Sequence, residues 1–199
     1  MRATIFITCC ILASCALGVS TAQEQPKPKR EAFGALAYLP SGAGPAMVGA
    51  GARVNVDLRV NSYTSDEEAK TMAGLLVQAG PDALLKALEK AKSKGKITLT
   101  GRVGFYDLKL IRAHRTPTGR RIYAVGDRPV GFLEVYAGNR SMDYPFGILQ
   151  LDLKTNEKGK EEGEGALIYS AKIKVLDGKS IDVESYGIQP IRLMGVRKL

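Results

Sequence analysis

Tryptophan is absent, histidine occurs once, and the three cysteines all stand near the N-terminus, at Cys9, Cys10 and Cys15. Each scarcity excludes something. The aromatic residues are scattered and do not interleave with the basic ones, which argues against the stacking platforms that hold single-stranded nucleic acid. His114 alone cannot build a histidine-based zinc site. It lies in Arg112-Ala113-His114-Arg115, where a solvated loop position is the simpler reading. No Gly-x-Ser-x-Gly appears, so the nucleophile elbow of the α/β-hydrolases is missing. Residues 32–52 carry no charge, but Gly34, Gly42, Gly44, Gly49, Gly51, Pro40 and Pro45 interrupt them. A spanning helix is not expected there. The glycine-rich part lacks the lysine of a phosphate loop. No metal and no cofactor is expected.

What is present begins with an export signal. Arg2 supplies a positive start, residues 3–19 run without charge, and Ser20-Thr21-Ala22 offers small residues before the polar Gln23-Glu24-Gln25-Pro26-Lys27. That order predicts a secretory signal over residues 1–22 and a mature chain beginning at Gln23 in the periplasm or outside the cell. Its removal takes every cysteine with it, leaving no disulfide, thiolate nucleophile or cysteine metal site. An alternative route is open at Leu12-Ala13-Ser14-Cys15, which resembles a lipobox. Lipidation at Cys15 would anchor the protein to the cell envelope.

The rest reads as a Pro- and Lys-rich tether over residues 23–31 and one globular domain over 32–199. Val54, Val56, Leu58 and Val60 alternate with Arg53, Asn55, Asp57, Arg59 and Asn61, the mark of a half-buried strand. Ser65 and Glu68 have capping-box spacing. Apolar residues at helical spacing and the Gly80-Pro81 break then predict a helical hairpin over residues 66–94. From residue 96 onward strands alternate with turns: Thr116-Pro117-Thr118-Gly119 before a strand to Val125, a further strand over 130–137, a polar loop over 156–165, and an Asp177-Gly178 hairpin. Residues 188–199 offer a last strand. The expected fold is α+β: an antiparallel, strongly bent or barrel-like sheet with a helical hairpin inserted after the first strand.

The formal charge is +9, of which Arg2 carries one. A basic exported domain can hold lipid head groups or acidic polymers. Lys109, Arg112, Arg115, Arg120 and Arg121 flank one turn, where paired strands would bring several cations together for phosphate or carboxylate recognition. Asp127, Asp143 and His114 are the residues a hydrolytic cleft would have to gather. The segments GRVGFYDLKLIRA, RRIYAVGDRPVGFLEVYAG and MDYPFGILQLDLKTNEKGKEEGEG resemble secreted bacterial proteins without an assigned activity. The resemblance implies export and no particular chemistry. The functional expectation is a non-enzymatic exported or envelope module binding an apolar or anionic ligand such as a lipid, in a barrel interior or beneath the helices. The alternatives are an interaction protein holding anionic envelope polymers through the basic hairpin, and, third, a hydrolase. Mass spectrometry of the mature N-terminus is expected to find a chain starting at Gln23; a diacylated Cys15 would replace that reading with the anchored form.

Overall fold

The computed structural model describes residues 30–38, 53–101, 104–130, 143–176, 180–185 and 190–199. The strands are β1 (Glu31–Tyr38), β2 (Arg53–Val60), β3 (Gly95–Leu99), β4 (Tyr106–Leu108), β5 (Leu110–Thr116), β6 (Gly119–Gly126), β7 (Phe146–Thr155), β8 (Glu161–Leu176), β9 (Ser180–Ser185) and β10 (Ile191–Lys198). The helix α1 (Asp66–Lys90) separates β2 from β3. Neighbouring strands run β4-β3-β2-β1-β10-β8-β7-β6-β5, with β9 paired to β8, and all the pairings are antiparallel.

The first and last strands of that path are consecutive in the chain. Only Lys109 separates β4 from β5, so one bent stretch forms both edges of the sheet. The Lys94 N–H donates to the Leu108 carbonyl at 2.8 Å, and the Lys109 N–H donates to the Val125 carbonyl at 2.9 Å. The sheet therefore curls into a nearly closed barrel, as the expected bent architecture requires. Register shifts in the β1–β10, β10–β8 and β7–β8 pairs assist the bend. At Gly195, within the β10–β8 irregularity, φ is +58°, a conformation glycine adopts without strain.

Alternation fills the interior. Phe33, Val56, Leu58, Val60, Ile97, Ile111, Ile122, Leu149, Leu151, Leu153, Leu167 and Leu193 belong to a single buried cluster. A barrel with about eight walls has a lumen that side chains alone can fill. Space is tightest where β7 meets β8: a Cβ at Gly163 would run into the Asp152 carbonyl.

The outer wall has its own apolar stripe. Leu110, Val125, Ile148 and Ile168 pack with Phe146, Ala171 and Ile173 against Leu76, Leu84 and Leu88 of α1. The capping box forms as expected: Glu68 N–H donates to Ser65 Oγ at 3.2 Å, and Ser65 N–H donates to Glu68 Oε2 at 2.9 Å. The expected pair of helices is corrected to a single kinked one, and it follows the second strand and not the first, because residues 31–38 also form a strand. Gly80 alone is non-helical (φ 82°, ψ −178°), and a loop of two or more residues is what normally separates a helix pair. The kink is nonetheless sharp. Asn61 and Ser62 N–H groups both donate to the Lys94 carbonyl, at 2.8 and 3.0 Å. A straight helix of this length would span about 37 Å and could not return there.

Two other expectations change. The tether gives way to strand at Glu31, because Glu31 and Phe33 belong to the inward phase of β1. The polar loop is shorter than expected: β8 begins at Glu161, since the glycines in Glu162-Gly163-Glu164-Gly165 let the strand continue past crowded β7 carbonyls. The strand predicted for 130–137 lies outside the described residues beyond Val130, as do residues 39–52 and the Asp177-Gly178 turn, although β8 and β9 pair on either side of that turn. Leu88 is fully buried between helix and barrel. Leu88→Ala is expected to lower unfolding free energy by about 2–5 kcal/mol, measured by urea denaturation; a loss under about 1 kcal/mol would show that the helix is not anchored there.

Candidate functional site

The β5–β6 hairpin forms with Arg115 opposite Arg120 and Thr116 opposite Gly119, but its cations do not converge on one point. In an antiparallel pair, alternate residues face opposite sides. Arg120 shares the inward phase of Ile122 and Ala124, whereas Arg121 shares the outward phase of Tyr123. Lys109 lies at the opposite end of the hairpin, 13 % exposed, with its Nζ 3.6 Å from Asp127 Oδ2 and donating to the Ala91 carbonyl at 3.1 Å. Arg112 donates to the Thr64 carbonyl at 2.9 Å and to Asp66 Oδ1 at 2.6 Å, and this contact lowers the Asp66 carboxyl below its ordinary range. Arg121 is paired with Asp152. Arg115 is exposed and has no ion pair among the described residues.

Arg120 is the centre of the most developed polar cluster. Its Nε and Nη2 both donate to Glu161, each at 2.7 Å, in a bidentate fork. Its Nη1 and Nη2 donate to Glu31 at 3.0 and 3.1 Å, and Nη1 also donates to the Tyr63 hydroxyl at 3.1 Å. Tyr63 Oη donates to Glu31 Oε2 at 2.5 Å, and Lys198 Nζ donates to Glu31 Oε1 at 2.6 Å. The guanidinium stands 5.7 Å from the Phe33 ring centre. Five segments thus meet over one end of the filled lumen: the start of β1, the chain after β2, the start of β6, the start of β8 and the end of β10. Two carboxylates face two cations, so the cluster is neutral as a whole.

Its electrostatics follow from burial and contact. Burial alone would raise the Glu31 carboxyl; hydrogen bonds from Arg120, Lys198 and Tyr63 outweigh it and lower the pKa from 4.5 to about 2. Burial and the neighbouring Glu31 push the Tyr63 phenol well above its ordinary value. Burial would lower the Arg120 guanidinium, but its bonds to Glu161 and Glu31 raise it instead. These groups stay charged, or for Tyr63 neutral, at physiological pH. Such locked states suit a structural clasp, not proton transfer.

The residues considered for hydrolysis are dispersed. His114 lies opposite Arg121 and packs edge-on to Tyr123, with ring centres 6.0 Å apart. Asp127 follows the far end of β6, six residues from Arg121 and so about 20 Å away along the strand. Asp143 precedes β7 and is exposed. Among the described residues, no three His, Cys, Asp or Glu side chains gather as a metal site, and no helix is long and apolar enough to cross a membrane.

The surface holds open clefts. One of about 560 Å³ lies against the outer wall of β2, β3 and β4, with Arg30, Arg59, Lys96, Phe105 and Asp107 among its lining residues. Another of about 750 Å³ lies over the Arg120 cluster. Comparison with family models, with curated proteins and with solved structures returned no match.

Acid is expected to loosen the clasp. A carboxyl whose pKa is lowered on folding contributes stability that is fully present above its unfolded value and is lost as pH falls through the folded one. For Glu31 the window runs from about 4.5 down to about 2, and the loss is on the order of 3 kcal/mol. Chemical denaturation at stepped pH checks this, with Glu31→Gln expected to flatten the decline. Equal acid sensitivity in the variant would assign the effect elsewhere.

Proposed function

We propose that the domain is a non-enzymatic exported or envelope module that binds an anionic component of the cell envelope on its outer surface. The observation that carries this reading is the contrast between a lumen filled by apolar side chains and a surface on which many cations have no ion pair among the described residues. A filled lumen leaves little room for the enclosed apolar ligand that a barrel first suggests, and so favours the anionic partner over the apolar one. The basic hairpin contributes to this surface less than its composition promised. Arg120 and Arg121 are committed to carboxylates, and Arg115 remains the hairpin cation available to a partner.

The dispersion of His114, Asp127 and Asp143 supports binding over hydrolysis. Export itself rests on the character of residues 1–22. The reading predicts that the mature chain is retained by a polyanionic matrix or by anionic vesicles at low ionic strength. Release is expected as salt rises and the Debye length shrinks from about 10 Å toward 3 Å. Absence of retention on both supports at low salt would overturn the proposal.

A further inference from the structure

We propose that the outer wall formed by β2, β3 and β4 is a docking face for an anionic lipid bilayer; this rests on the anionic-partner reading above and names the partner. Arg59 on β2 stands directly opposite Lys96 on β3. Like charges facing each other across a strand pair repel, a cost unless something neutralises them. Neither side chain has an ion pair among the described residues. No other strand pair among those residues sets two cations opposite each other with neither held by a carboxylate. Asp107 lies opposite Lys96 on the other side, yet the Lys96 ammonium is poised 4.8 Å from the Phe105 ring centre.

Apolar groups border these cations. Phe105 is 46 % exposed and Leu199 is 67 % exposed, and both belong to the cleft that Arg30, Arg59 and Lys96 also line. Each is held in place. Arg128 Nη2 donates to the Phe105 carbonyl at 3.0 Å, and the Leu199 N–H donates to the Ala32 carbonyl at 2.9 Å. A soluble polyanion gives no reason to present an aromatic ring and a leucine between cations. A bilayer does: its head-group layer accepts an amphipathic ring at the interface, and its anionic lipids attract the flanking lysine and arginine. In sequence, Pro26-Lys27-Pro28-Lys29-Arg30 precedes β1, the strand paired with β2, so further cations adjoin the face along the chain. Polybasic segments beside a membrane-facing surface strengthen such binding.

The test uses the mature chain with its N-terminus established by mass spectrometry, co-sedimented with vesicles rich in phosphatidylglycerol and with vesicles of phosphatidylcholine alone. The quantity read is the difference between the two, which an acyl anchor would not produce. Wild type is expected to prefer the anionic vesicles. The double variant Arg59→Gln, Lys96→Gln is expected to lose about 30-fold of that preference, a factor near five for each charge. Phe105→Ser is expected to weaken binding without altering the salt dependence. Thermal melts confirm that each variant is folded, and Lys86→Gln, at an exposed position of α1 away from this wall, serves as a control. Wild-type partitioning by the folded double variant would overturn the docking face. Retention on a polyanionic matrix without vesicle binding would overturn the bilayer as partner while leaving the anionic-partner reading intact. Binding to neither would overturn both.

Discussion

The step at Lys109 places both edges of the sheet on consecutive residues, and much of the architecture follows from that constraint. An open sheet of this size would present two unpaired edges, each a template for association. Here the residues before Lys109 pair with β3 and those after it with β6, so the sheet must curl until its edges meet. Once it curls, inward alternation on every strand has a single shared destination. The lumen fills, and large apolar residues that remain in the outward phase, such as Val125, Ile148 and Ile168, need separate cover. The kinked helix provides it.

Closing a barrel leaves two ends, and one of them is closed by charge. Arg120 points inward among apolar neighbours and would be costly there alone. Glu161 and Glu31 satisfy its donors, and Lys198 and Tyr63 satisfy what remains of Glu31. A partly buried ion cluster of this kind does not by itself imply high stability, because desolvation opposes the attraction. Its effect here is positional. It fixes the first residue of β1 against the last residues of β10 and the first of β8, giving the terminal strands a defined register.

Much of the fold was legible in the residues. The Val54-to-Val60 alternation, the Ser65 capping box, the turn before Arg120 and the bent antiparallel sheet all follow from local pattern. The sequence suggests a helix pair because Gly80-Pro81 resembles a boundary; one residue at positive φ followed by proline makes a kink equally well. The clasp leaves only an indirect signal in the sequence. Arg120 is in phase with Ile122 and Ala124, and Glu161 is in phase with Leu167 and Tyr169. Extending each strand's period to its charged end would have shown that these residues point inward. Glu161 was hidden because its segment is entirely polar, and Lys198 because the irregularity at Gly195 shifts the phase of β10. Composition groups five cations about one turn; their partners separate them, since Arg115 shares the strand parity of Arg120 yet lies exposed, while Arg120 is held by Glu161 and Glu31.

The pairing of β1 with β10 makes the connectivity circular in all but covalent terms. Glu31 and Lys198 already touch, so a short peptide joining β10 to β1 in place of the segment before Glu31 would add a bond where proximity exists. Chain ends could then be moved to the Asn156–Lys160 turn, whose contacts are local: Asn156 Oδ1 accepts from the N–H groups of Lys158 and Lys160. Every strand would keep its neighbours. Such a permuted barrel would carry its termini between β7 and β8, and β1 and β10 would become an ordinary hairpin.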